Sequence, residues 1–295
     1  MKNKFLLHSK FMVAIALSAL LLMVSCTGKK ETVQNQVKTD KPIIAVSIVP
    51  EQTFVQKVCG DDYEVVTIIP PGYSPESYDP TPLEAEKFNK AKIYFTIGVP
   101  AEVNILKRIS SDTKIVHFED IVSKAYEDRH FGTTRDPLIW LSPKRVKVMV
   151  SSVAENLVTL KEGNADYSAN ANLYIQELTQ LESDINQLLA PVKSMSFIVF
   201  HPAFGYFADE FGLKMYALEE EGHDATPKNL MNLVDFAKEN GIKTIFYQDE
   251  IDSAQSKSFA EEIGGISVSL SPLSADYTAN LLKMAKTIKD SQVTN

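Results

Sequence analysis

Residues 143–161 read PKRVKVMVSSVAENLVTLK, and residues 164–189 read NADYSANANLYIQELTQLESDINQLL. In the first stretch Val146, Met149, Val150, Val153, Leu157 and Leu160 recur at the three- and four-residue steps that share one helical face. In the second, Tyr174, Leu178, Leu181, Ile185 and Leu188 do the same. Pro191 then ends the pattern, because proline has no N–H to donate into a continuing helix. Two long apolar stripes in succession predict a helical spine over 142–191, in the middle of the chain.

On either side of the spine the pattern changes to short apolar runs alternating with helical ones. Strands are predicted at 43–48 (IIAVSI), 64–69 (EVVTII), 92–97 (KIYFTI) and 113–117 (TKIVH), with helices near 50–58, 82–90 and 101–109 between them. A second set runs through 196–200 (SFIVF), 214–218 (KMYAL), 243–247 (KTIFY) and 266–270 (ISVSL), followed by helices near 203–211, 227–239, 253–263 and 275–290. Thr226-Pro227 is a cap followed by a first-turn proline, and Gly264-Gly265 a helix stop. The expected fold class is therefore α/β, with two (β/α)4-type lobes, 42–141 and 192–295, joined by a long rigid backbone helix. Ligands of open α/β sheets bind beyond the carboxyl ends of the strands, so the expected site is the cleft between the lobes.

The 295 residues contain 38 acidic and 30 basic side chains, a net charge of −8. That balance argues against a nucleic-acid partner, which needs a basic surface to displace phosphate counterions, and suits small cations better than anions. Two cysteines, Cys26 and Cys59, exclude a disulfide framework and a cysteine-rich zinc cluster. Cys59 falls in an apolar helix and is expected to be structural. Lys2, Lys4 and Lys10 precede the apolar run Phe11–Val24 (FMVAIALSALLLMV), which is shorter than the roughly 18–20 residues that span a bilayer. The following LLMVSC resembles a bacterial lipobox. The expectation is a lipoprotein signal peptide over 1–25, lipidation of Cys26 and a polar tether over 26–41, holding the protein at the cell envelope on the extracytoplasmic face.

Polar side chains gather at the predicted strand ends: Glu76 in the loop after the second strand, His201 directly after SFIVF, Glu219, Glu220, Glu221, His223 and Asp224 after the sixth strand, and Asp249, Glu250 and Asp252 after the seventh. Imidazole and carboxylate are the donors zinc and manganese accept when cysteine is lacking. Taken singly, Glu219–Glu221 and Asp249–Asp252 read as solvated loop charges, and His117, His130 and Trp140 as structural. HExxH, GxSxG, GxGxxG and the P-loop pattern do not occur, so no enzyme is expected.

PPGYSPESYDPTP (70–82), DPLIWLSP (136–143), FHPAFGYFADEFGL (200–213) and SPLSADY (271–277) together resemble, in order, the motifs of the metal-binding solute receptors of zinc and manganese ABC importers. The resemblance implies a divalent metal as transported ligand, zinc first and manganese second, delivered to an ABC permease with its ATPase by a monomer. It also implies ligands at four positions, occupied here by Glu76, Leu138, His201 and Ser271. Glu76 and His201 can bind a metal, Leu138 cannot, and Ser271 is a weak donor. Glu221 and His223 are the expected replacements, then Asp249 or Glu250. The alternative is a receptor on the same scaffold that has lost tight metal binding and recognises a metal chelate, a small organic ligand or a partner protein.

Overall fold

The computed structural model describes residues 41–160, 165–192, 195–220, 223–224, 226–251 and 254–293. The expected signal peptide, Cys26, nearly all of the tether and Glu221 lie outside the described residues, and His223 is described by its backbone alone.

The chain opens with β1 (Ile43–Val46), α1 (Val49–Cys59), β2 (Glu64–Thr67), α2 (Pro82–Phe88), β3 (Ala91–Thr96), α3 (Glu102–Leu106), β4 (Lys114–His117) and α4 (Phe118–Ser123). A hairpin of β5 (His130–Phe131) and β6 (Thr134–Arg135) and a 3-10 turn at Ile139–Leu141 lead into α5 (Pro143–Leu160) and α6 (Ala165–Leu189). Then follow β7 (Ser196–Val199), α7 (Gly205–Phe211), β8 (Lys214–Ala217), the hairpin β9 (Glu219–Glu220) and β10 (His223–Asp224), and α8 (Pro227–Glu239). β11 (Thr244–Gln248), α9 (Ala254–Glu262), β12 (Ile266–Leu270) and α10 (Tyr277–Val293) complete it. Every strand and helix expected from the sequence is present within a few residues. α4 and the two short hairpins were not foreseen.

Local chemistry explains the boundaries. Thr81 and Glu84 form a capping box around Pro82, with Thr81 N donating to Glu84 Oε2 at 2.7 Å. Thr226 Oγ1 accepts from Asn229 N at the start of α8, as its sequence predicts. At α1 the capping position is Ile48, which has no acceptor. Glu51 reaches back instead, its Oε2 accepting from Ser47 N and Ile48 N, both at 2.9 Å.

Two four-stranded parallel sheets result, in the orders β2-β1-β3-β4 and β12-β11-β7-β8. Each places its strands second, first, third, fourth, so the two lobes share one topology. In each the chain reverses direction between its first and third strands, and ligand crevices open at such switch points. For the second sheet that point lies between the ends of β7 and β11, where His201 and Gln248-Asp249 follow.

One large apolar cluster runs from the first sheet through α5 and α6 to α10, including Met149, Val153, Leu178, Ile185 and Leu281, all fully buried or within 1% of it. The period of two along β7 divides the second sheet's faces: Phe197 and Val199 join this cluster, whereas Ile198 and Phe200 join a smaller one beneath α8 and α9. Leu160, expected on the buried stripe of α5, is exposed at the helix end. Trp140 is buried, its indole donating to Pro272 O at 2.9 Å and its carbonyl accepting from Tyr277 Oη at 2.7 Å, which ties the start of the spine to the start of α10. Cys59 is a free, buried thiol that burial pushes up to about 11. Among the described residues no helix is long and apolar enough to cross a membrane.

Candidate metal site

His201 stands two residues beyond the end of β7, at the switch point, and its side chain is 9% exposed. Its Nε2 meets Glu76 Oε1 at 2.9 Å, and its Nδ1 meets Glu219 Oε2 at 2.6 Å. Both partners are carboxylates, so both ring nitrogens donate and the ring is an imidazolium. Burial by itself would lower the imidazole, but the hydrogen bonds to Glu219 and Glu76 more than reverse that and hold it up at about 9. The same hydrogen bond from His201 draws Glu76 below the usual carboxylate range, against its own partial burial.

Glu76 comes from the loop after β2 in the first lobe, and His201 and Glu219 from the second. The contact therefore crosses the cleft. Beside it is a cavity of about 20 Å³, lined by residues that include Ser74, Glu76, Leu138, Trp140, Gln248 and Pro272. That is room for about one water-sized species.

The expected site residues fare differently. His201 and Glu76 are brought together. Leu138 lines the cavity and is buried, so the wall there is apolar. Ser271 Oγ donates to Asp249 Oδ2, and both are immediate neighbours of the cavity-lining Pro272 and Gln248. Asp249 is exposed, as read from the sequence, and accepts from Ser271 beside the cleft. Glu250 keeps a buried oxygen, Oε2, with no hydrogen-bond partner, and burial and the charge of Asp249 raise its carboxyl. His223 pairs through its backbone with Glu220 in the short hairpin.

Glu219 is the residue the sequence reading missed. In sequence it reads as a solvated loop charge, yet its side chain is only 16% exposed and fixes His201 Nδ1. Its one available signal is the spacing: β7 and β8 are adjacent and parallel, with Val199 opposite Ala217, so the residues just past each end are neighbours. A separate group, His117, Glu119 and Asp120, has candidate donor atoms within 4.8 Å of one another at the end of β4. Its members are satisfied by one another, by Thr96 and by Arg135: His117 Nδ1 meets Glu119 at 2.9 Å, and Asp120 pairs with Arg135 at 3.6 Å.

A buried imidazole oriented at Nδ1 by a carboxylate is a feature that metal-ligating histidines share. The family model described as zinc-uptake complex component A, periplasmic (ZnuA) matches residues 44–291. A putative metal-binding protein of Chlamydia muridarum (strain MoPn / Nigg) is 25% identical over 276 residues, covering 92% of this chain and 99% of its own. The zinc-binding lipoprotein AdcA of Streptococcus pneumoniae (strain ATCC BAA-255 / R6) is 25% identical over 282 residues, 90% of this chain but 55% of its own. Among solved structures, a zinc-bound ZnuA deletion mutant superposes with a TM-score of 0.81 at 31% identity, covering 87% of this chain and 100% of that one. With the family's description matched over both sheets and the whole of the spine, this chain belongs to the periplasmic component A family of zinc-uptake complexes.

Proposed function

We propose that the chain captures one divalent metal ion, zinc first and manganese second, between His201 Nε2 and Glu76, and hands it to the permease and ATPase of an ABC importer. Family membership makes it a solute-binding transport component, and the alternative of a receptor without metal is not favoured by it. The observation that carries the site assignment is the 2.9 Å approach of His201 Nε2 and Glu76 Oε1 across the cleft. A metal ion takes the place of the proton at Nε2, while His201 Nδ1 keeps its proton, donated to Glu219, which holds the ring orientation. Leu138 and Trp140, both buried, give the cavity an apolar wall. Zinc in a closed site takes four donors at about 2.0–2.2 Å for nitrogen and oxygen. Glu221 and His223 are our candidates for the remainder, then Asp249 and Glu250, and none of these residues is assigned a catalytic role.

The lobes 42–141 and 192–295, with the spine 142–191, are proposed as the units that close on the ion. We further propose a monomer anchored at the envelope surface through lipid on Cys26. This is supported by the lipobox-like LLMVSC and by the lipoprotein name of the AdcA relative. Zinc titration of Glu76→Ala and of a Glu221→Ala/His223→Ala double variant tests the donor set. Loss in the first supports the Glu76 assignment, and unchanged affinity in the second removes Glu221 and His223 from it.

A further inference from the structure

Arg129 lies in the stretch between α4 and β5, outside every motif noted in the sequence. Its guanidinium sits against the first residue of α7: a Cβ placed on Gly205 would lie 2.4 Å from Arg129 Nε and 2.6 Å from Cζ. Nη1 donates to Asp209 Oδ2 on the next turn of α7, and the Arg129 backbone N donates to Tyr206 Oη at 2.9 Å. On its other side Nε faces Asp136 Oδ2 at 3.4 Å, an ion pair too oblique to be a hydrogen bond. Asp136 is fully buried, and its Oδ1 accepts from Leu138 N at 2.9 Å. The same turn is closed by Asp136 N donating to Arg129 O at 2.9 Å. Arg145 completes the clamp, stacked over the Tyr206 ring at 4.4 Å and donating to Glu127 O at 2.7 Å.

These contacts join the cavity wall at Leu138 to the helix that follows His201. Asp136 sets the backbone of Leu138, which lines the cleft, and Gly205 is four residues beyond His201 at the head of the helix that follows it. We propose that Arg129 is a positioning residue for metal capture: one guanidinium, acting through Asp136 and through the Gly205–Asp209 turn, holds His201 in register with Glu76 across the cleft. This rests on the reading of His201 and Glu76 as metal donors. The planar fork matters as well as the charge, since it serves carboxylates on two sides at once and lies flat on a glycine; a lysine reproduces only the charge.

The test uses chelator-stripped protein titrated with zinc, with Co2+ absorption as a report on coordination geometry and thermal unfolding recorded for each variant. Arg129→Ala and Gly205→Ala are expected to weaken zinc binding by about 10–100-fold, the usual effect of removing a residue that orients a metal ligand. They should also alter the Co2+ bands, and Arg129→Lys should recover part of both. Gly205→Ala keeps the arginine and its charge and only displaces the guanidinium, so it decides the matter if Arg129→Ala folds poorly. If His201→Ala abolishes zinc binding while both Arg129→Ala and Gly205→Ala match the unmodified protein in affinity and Co2+ spectrum, the role of Arg129 is overturned and the site stands. If His201→Ala changes nothing, the site assignment falls and this inference with it.

Discussion

Glu219 Oε2 lies 2.6 Å from His201 Nδ1, so the second lobe orients the imidazole that the first lobe's Glu76 meets at Nε2. The carboxylate fixes which nitrogen keeps its proton and makes the other a better donor. Glu219→Gln should bind zinc about 10–100-fold more weakly than the unmodified protein, with little change in thermal unfolding. Competition against a chromophoric chelator measures this, and equal affinities would show that the pair is structural only.

Leu138 occupies the cavity wall where the family resemblance leads one to expect a histidine. Leu138→His adds an imidazole to a site whose assigned donors are one imidazole and one carboxylate. Nitrogen donors favour zinc over manganese. The ratio of zinc to manganese affinity should therefore rise by at least about tenfold, a gain of roughly 1.4 kcal/mol. An unchanged ratio in a folded variant would place Leu138 away from the ion.

Glu102 gives a pH signature of its own. The residue is 3% exposed, and its carboxylate accepts from Ile97 N at 2.8 Å, Gly98 N at 2.9 Å and Ser47 Oγ, and feels the charges of Glu51, Glu119 and Tyr94. Burial pushes it from 4.5 to about 7, more than those hydrogen bonds lower it. Because the folded state holds this proton more tightly than the unfolded one, its contribution is full below pH 4.5 and lost as pH rises through about 7. The loss is of the order of 3 kcal/mol, and Glu102→Gln should flatten the decline across that interval. Urea unfolding from pH 5 to 8 compares the slopes; parallel slopes would contradict the assignment.

The spine belongs to the core that reaches both sheets. Leu178 is fully buried in α6, and Leu178→Ala should cost about 2–5 kcal/mol. Denaturant unfolding should remain a single transition, since one apolar cluster joins the spine to both lobes. Two separated transitions would contradict that coupling.

Much of this architecture was legible because periodicity is local. The stripes of α5 and α6 and the eight strands of the two sheets are each written in consecutive residues, as is the Thr226-Pro227 cap. That His201 and Glu76 stand at strand ends within recognisable motifs was legible, and the structure brings the two together. Glu219 was not, because its role depends on β8 pairing with β7, and Glu219 and Glu220 look alike in sequence. Arg129 was not, because the contacts that define it lie 76–80 positions away, and no spacing rule links a loop arginine to a helix-initiating glycine. α4 was missed because six residues are too few for a helical stripe to show.

The most direct test of the central claim is a calorimetric titration of chelator-stripped protein with zinc and with manganese, repeated on His201→Ala. The account predicts one-to-one binding of zinc by the unmodified protein and its loss in the variant, with manganese bound at the same site and lost with it. Zinc binding of equal affinity in His201→Ala, or no binding of either ion by the unmodified protein, would contradict it.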